Sequence, residues 1–254
     1  MEELAERVAR EKAAYDHGTI HAESSKLHRR FRHVFECPNS QGAERYLDQI
    51  VNQSAGGKDL LDYGCYDGWM TPRYLNAGPR SITGLDISET AIAAANAKYS
   101  SVATFRAGDA HVLPFPSESF DIIVGRAILH HLDFDLAIRE LVRVLRPSGK
   151  AIFYEPLGDN PGAKLLRVLT PKARTMDEKP LSRSEIQRAD AVFGQPSHLF
   201  VGLVSVPVAM LTSLTPLHAD NFLLHLADRA DRGLAHTPLK YWMRQVLLVW
   251  QKTK

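Results

Sequence analysis

Leu60-Leu61-Asp62-Tyr63-Gly64-Cys65-Tyr66-Asp67-Gly68 is the stretch whose reading decides the fold. It begins as a short apolar run, meets an acid, and turns through two glycines toward a helix signal at Trp69–Asn76, with Pro72 in its first turn. A strand that enters a helix through so tight a turn lets bare backbone pass close beneath a nucleoside ligand. The turn alone decides little, because dinucleotide enzymes and plain tight turns share it. The pattern repeats outward. Apolar runs at Asp59–Tyr63, Ser81–Leu85, Ala103–Ala107, Phe120–Gly125 and Ala151–Tyr154 are unbroken rather than alternating, as strands buried on both faces should be. Between them, Ser88–Lys98 (with Ser88 as N-cap) and Asp135–Leu145 (stopped by Pro147-Ser148-Gly149) read as helices. Strand–helix alternation of this kind predicts a parallel, doubly wound α/β sheet.

On either side the rhythm changes. Residues 1–16 read as a helix, a polar His/Arg-rich segment runs from His17 to His33, and a helix at Gln41–Val51 ends at Ser54-Ala55-Gly56-Gly57. Residues 1–57 are therefore expected to form a helical cap before a main domain at 58–254. After Glu155, residues 156–181 carry Pro156, Pro161, Pro171 and Pro180 and read as an insertion with a short helix near Ala163–Leu169. Ser182-Arg183-Ser184-Glu185 is a capping-box signature for another helix. A strand at about His198–Val206, a helix near Asp220–Asp231 and a last strand at Val246–Gln251 complete the expected elements.

The 254 residues are 44% hydrophobic and 24% charged, enough for a full core. A net charge of +2 is too weak by itself to suggest a nucleic-acid or membrane surface. Cys37 and Cys65 are the two cysteines, and Cys65 sits inside the glycine-rich turn, so a disulfide is not expected. The charged N-terminus has no apolar secretory core, and Leu199–Leu214, broken by Pro207, is too short to span a bilayer. The composition thus predicts a soluble, cytoplasmic protein with no membrane partner, and leaves homo-oligomerisation open.

Three acids give the turn its meaning. Asp62 closes the first strand, Asp86 closes the second, where a carboxylate can accept both hydroxyls of a ribose, and Gly108-Asp109-Ala110 follows the third, within reach of an adenine edge. The ordered set DYGCYDG, GLDIS, AGDAHVLPF, SFDIIV, ILHHL and RVLRPSGK resembles the class I S-adenosylmethionine-dependent methyltransferases over about residues 58–155. The resemblance implies a Rossmann-like sheet of seven strands, mostly parallel with the last antiparallel, bearing an N-terminal helical lid and an insertion after strand five. It implies S-adenosylmethionine as cofactor, with Asp62 and the turn Gly64, Cys65, Tyr66, Gly68 at the methionine end. Asp86 with Ile87 would hold the ribose, Asp109 with Ala110 the adenine, and Arg126 would also lie in the cofactor site. The RVLRPSGK stretch is typical of members that act on small molecules. One position departs from the family: Tyr66 stands where a middle glycine is usual.

Methyl transfer from a sulfonium chiefly needs alignment and exclusion of water. His130 and His131, after the fourth strand, are the base candidates, because histidine titrates near neutrality. Tyr15 is expected to reach the site from the lid, and His21 and Glu155 are expected to touch substrate. Leu157, Leu165, Leu169, Leu199, Phe200, Leu203 and Met210 suggest an apolar acceptor, methylated at O, N or C, with an isoprenoid or indole-type carbon among the options. Rival chemistries fit less well. An amino-methyltransferase of nucleic acid or protein should carry Asn/Asp-Pro-Pro-Tyr/Phe after strand four, where this chain has Gly125-Arg126-Ala127-Ile128. A dinucleotide oxidoreductase needs glycines where Tyr66 and Trp69 stand. A member that binds the cofactor without turnover, as a structural partner, is the alternative reading.

Overall fold

A computed structural model describes residues 2–16, 28–161, 164 and 178–253. The described elements begin with α1 (Glu2–Asp16), a helical turn at His33–Glu36 and α2 (Pro38–Ser54). Then follow β1 (Asp59–Tyr63), α3 (Thr71–Leu75), β2 (Ser81–Asp86), α4 (Glu89–Tyr99), β3 (Thr104–Ala107), β4 (Phe120–Arg126), α5 (Phe134–Val144) and β5 (Leu145–Pro156). The C-terminal part holds α6 (Arg183–Phe193), β6 (Gly194–Pro196), β7 (Leu199–Val201), α7 (Ser205–Thr212), α8 (Phe222–Leu234) and β8 (Gln245–Lys252). The sheet runs β3-β2-β1-β4-β5-β8-β6, with β7 also pairing to β8. Strands β1 to β5 are parallel neighbours and β8 pairs antiparallel with β5 from Lys150↔Gln251 to Pro156↔Gln245.

The unbroken apolar runs are explained by two cores, one on each face. Leu61, Tyr63, Ile123, Phe153, Leu248 and Trp250 pack on one side. Their strand neighbours Leu60, Ile122, Val124, Ile152, Leu247 and Val249 pack on the other. Alternate residues feed opposite faces, and each buried branched side chain contributes roughly 1.5–3 kcal/mol. Helix starts follow their caps: Ser88 accepts from Ala91 N–H, Asp133 from Leu136 N–H, and Ser182 with Glu185 forms the expected reciprocal box.

Two C-terminal expectations need correction. The sheet has eight strands rather than seven, because β6 and β7 are separate three-residue pieces on β8. The strand expected over 198–206 ends at Val201, and residues 205–212 are helical. The cause lies downstream. Gly202 turns the chain in the left-handed region (φ 92°), and the Asp231 carboxylate then accepts the N–H groups of Leu203, Val204 and Ser205 and the Ser205 hydroxyl. A side chain on α8 thus caps α7, something no local periodicity records. The short helix expected near 163–169 lies largely outside the described residues.

Candidate active site

The C-terminal ends of β1 to β4 face a cavity of about 290 Å³. Gly64 begins the turn after β1 at φ 80°, and a Cβ there would stand 2.8 Å from Ile128, so conformation and space both require glycine. The N–H groups of Gly64 and Cys65 both donate to Leu85 O, at 2.8 and 3.0 Å, which ties the turn to β2. Tyr66 also lies in the left-handed region, at φ 48°. Its N–H donates to Asp86 Oδ2 at 2.8 Å, and Ser88 N–H donates to Asp86 Oδ1 at 3.0 Å. The Asp86 carboxylate is thereby aimed by backbone alone; burial raises its pKa, and those amide bonds oppose the rise.

Gly64, Tyr66, Asp86, Ile87, Asp109 and Ala110 all reach the cavity wall, as does Arg126. Asp62, Cys65 and Gly68 do not line it. Asp62 is enclosed beneath the turn: burial pushes its pKa up to about 7, Tyr74 Oη donates to Oδ1 at 3.3 Å, and Oδ2 has no partner. The Cys65 thiol is buried and its pKa raised by that burial. Gly68 (φ 76°) serves packing, since a Cβ there would press on Tyr99 and Phe105. Beyond β3, Asp109 Oδ1 accepts from His111 N–H at 2.9 Å and lies 2.7 Å from His111 Nδ1. His111 Nε2 accepts from Asp133 N–H at 2.8 Å, so its proton sits on Nδ1, toward Asp109. His111 is a lining residue that sequence reasoning missed, although its place two residues after Asp109 was a usable signal. Arg126 binds Glu44 of α2 and stacks 5.2 Å from the Trp69 ring and 5.5 Å from the Tyr154 ring.

The roof of the cavity is α1. Arg7, Val8, Glu11 and Tyr15 line it from one helix face. Arg7 donates to His131 O at 2.9 Å and to Leu132 O, while Lys12 pairs with Glu89 and Asp16 accepts from Ser88 Oγ. Tyr15 Oη lies 3.1 Å from His131 Nε2, and a Glu11 carboxylate oxygen lies 3.3 Å from His131 Nδ1. Burial, first, and then the charge of Glu11 hold the Tyr15 phenol well above its ordinary pKa. It stays protonated at neutral pH. Arg7 and Glu11 were not foreseen; their spacing of four from each other, and of Glu11 from Tyr15, was the available clue.

His131 faces the cavity, whereas His130 and Glu155 stand behind it. Glu155 is fully buried: Oε1 accepts the N–H groups of Ile128 and Leu129 at 2.9 and 3.0 Å, and Oε2 lies 2.7 Å from His130 Nδ1. The expected substrate contact from Glu155 therefore gives way to a structural task, because both oxygens are consumed in holding the turn that carries the two histidines. His21 lies outside the described residues.

Comparison with known proteins bears on what this cavity is for. Residues 61–153 match the family described as "Methyltransferase domain". By this match, that stretch is a methyltransferase domain. Over 130 residues the chain is 38% identical to 27-O-demethylrifamycin SV methyltransferase of Amycolatopsis mediterranei (strain S699), covering 46% of this chain and 48% of that protein. The chain thus spans about half the length of the curated relatives it matches. Geranyl diphosphate C-methyltransferase from Streptomyces coelicolor A3(2), solved with Mg2+, geranyl diphosphate and S-adenosyl-L-homocysteine, superposes with a TM-score of 0.59 at 15% identity, over 83% of this chain and 78% of that one. The [4+2]-cyclase SpnF superposes with a TM-score of 0.54 at 21% identity, over 84% and 82%. These likenesses establish the domain's fold, a mostly parallel sheet with an antiparallel strand, as the resemblance implied.

The cavity fits the domain's cofactor. A glycine-bounded floor, a backbone-aimed carboxylate at the end of β2, and an acid and amide after β3 together make a site for a ligand that offers hydroxyls, with Asp62 enclosed beneath the turn.

Proposed function

We propose that the chain transfers the methyl group of S-adenosylmethionine to a small, largely apolar molecule, as a tailoring step in secondary metabolism. Asp86 would hold the ribose hydroxyls, Asp109 and Ala110 the adenine, and the Gly64–Tyr66 turn with Asp62 the methionine end. The bound cofactor supplies an electrophilic methyl group; everything else falls to the chain. The observation that carries the reading is the Tyr15–His131 contact at 3.1 Å, which sets a protonated phenol against an imidazole on the wall of the cavity that Asp86 and Asp109 also line.

α1 excludes water by lying over the strand ends, and its Arg7 grip on the His131 turn keeps roof and base in register. Since Tyr15 keeps its proton, it donates to His131 Nε2. For a hydroxyl acceptor, the acceptor's proton passes to the Tyr15 oxygen as the phenol proton moves to His131 Nε2, leaving the nucleophilic oxygen free for the methyl carbon. For a carbon acceptor no such transfer precedes methylation, and the Tyr15 and Tyr66 rings face the developing cation. The rifamycin and geranyl diphosphate enzymes favour small-molecule acceptors of these two kinds by analogy.

The alternative is cofactor binding without methyl transfer. Tyr66 on the wall at φ 48° and the fold's use by a cyclase favour it. Calorimetric titration with S-adenosylmethionine and S-adenosylhomocysteine, with NADH as control, tests the reading. Micromolar binding of both sulfur ligands and none of NADH is expected, followed by methyl transfer to apolar acceptors. If neither sulfur ligand binds, the proposal fails.

A further inference from the structure

The α7–α8 hairpin presents a surface that the methyltransferase reading leaves unused. Leu211, Leu214 and Leu217 lie at the end of α7 and in the segment after it, and Phe222, Leu223 and Leu226 lie on the first turns of α8. All six are exposed, Phe222 to 77% and Leu211 to 68%. The inner side of the same hairpin is already packed: Ala209, Thr212, Leu224 and Ala227 are buried, and Asp231 clamps the start of α7. The apolar set is therefore the outward half of a well-anchored pair of helices, where soluble proteins rarely gather this much exposed apolar area.

Cations stand beside it. His33 N–H donates to Ser213 Oγ at 3.1 Å, and His33 Nδ1 lies 3.0 Å from Thr212 Oγ1. Phe31 packs into the cluster of Val34, Ala209 and Leu224. His33 is thus seated on Thr212 and Ser213 at the end of α7, and exposed Arg29, Arg30 and Arg32 lie within four residues of it along the chain. Arg29, Arg30 and Arg32 form no ion pair among the described residues, and neither does Arg229 on α8. Of the nearby acids, Asp228 pairs with Arg232 and Asp220 is hydrogen-bonded to His225 Nε2, with Glu36 the acid of the same helical turn.

We propose that this tip docks on an anionic lipid surface, with the leucines and Phe222 entering the boundary between headgroups and acyl chains and the arginines meeting the phosphates. Such docking needs no spanning helix, and among the described residues no helix is long and apolar enough to cross a membrane. It departs from the expectation of no membrane partner, which rested on the weak net charge and the lack of a spanning stretch. A second copy of the chain fits less well, because a two-fold pairing of this face would bring both arginine clusters to one interface. The inference stands independently of the methyl-transfer reading.

The test is co-sedimentation of the full chain with vesicles of phosphatidylcholine alone and with added phosphatidylglycerol. Binding confined to the phosphatidylglycerol vesicles and falling with salt is expected. Arg29→Ser, Arg30→Ser and Arg32→Ser together should weaken it about a hundredfold, roughly fivefold for each. Phe222→Ser with Leu226→Ser should reduce it comparably, while circular dichroism shows an unchanged fold, since both side chains are exposed. Equal binding to both vesicle types, or none, overturns the proposal. So does a dimer in sedimentation velocity that the Phe222→Ser, Leu226→Ser variant dissolves, with no vesicle binding; or retention of an acidic protein partner with vesicles ignored.

Discussion

The floor of the cavity is made by four adjacent strand ends within residues 64–128, each supplying three or four positions through a short local turn. The roof is made by one helix, α1, whose partners on the far wall are His131 and Leu132, more than a hundred residues away along the chain. The floor is held by backbone: Leu85 O fixes the β1 turn, and two amides aim Asp86. The roof is held by side chains, through Arg7, Tyr15, Lys12 and Asp16. Parts held by local backbone geometry survive most substitutions around them and keep a ligand's position fixed. A part held by a few side-chain contacts can open and close at small cost, which is what admission of two substrates to one cavity requires.

If the roof carries chemistry and the floor carries binding, substitutions should divide the same way. The largest effect is expected from His131→Ala, which should lower turnover of a hydroxyl acceptor about 10²–10⁴-fold while S-adenosylhomocysteine affinity by calorimetry stays within a few-fold. An equal loss in both would erase the division. On the floor, Asp62 should show itself through pH. Its folded-state pKa, about 7, lies above the ordinary 3.8, so the folded state holds the extra proton between those values. Stability of the free protein should therefore fall as pH rises from about 4 to 7, by at most ~4 kcal/mol, and then level off. Asp62→Asn should remove that fall, making the variant more stable than the parent at pH 8 and no more stable near pH 4, as read from urea midpoints. Next comes Asp86→Ala, which should cost roughly 2–4 kcal/mol of cofactor affinity through lost charge-assisted hydrogen bonds. Unchanged affinity would remove Asp86 from the ribose site.

The same contrast governs what could be read from the sequence. The places of Asp86, Asp109 and Gly64 on the cavity wall were legible because a strand end, a short turn and a helix cap are local, and each acid follows its own apolar run. Tyr15 and His131 were named separately, but no spacing within either segment brings them to 3.1 Å. Glu155 was misjudged for a related reason. Its position at the C-terminal end of β5 belongs to the ligand-facing edge of the sheet, yet its oxygens are taken by N–H groups of Ile128 and Leu129 and by His130, all from the neighbouring strand's loop. The strand expected through residue 206 failed because Asp231 caps α7 from another helix. Local pattern reaches elements and their ends; side chains that act across the chain are beyond it.

Tyr66 is where floor and departure from the family meet, and it offers the smallest and sharpest test. At φ 48° a tyrosine holds a conformation that costs an L-residue of its size about 1–2 kcal/mol, and glycine would adopt it without that strain. Against this gain stands the greater backbone freedom glycine has in the unfolded chain, worth about 0.5–1 kcal/mol. Tyr66→Gly should thus change stability by no more than ~1.5 kcal/mol, in the stabilising direction, as a small rise in the thermal midpoint. Its effect on ligands separates two uses of the ring. If the ring forms part of the cavity wall, removing it should weaken S-adenosylhomocysteine binding or acceptor turnover despite the relaxed backbone. If the ring crowds the cofactor, affinity should rise, and the floor would then be a site held below its best binding by the one side chain the family pattern leaves out.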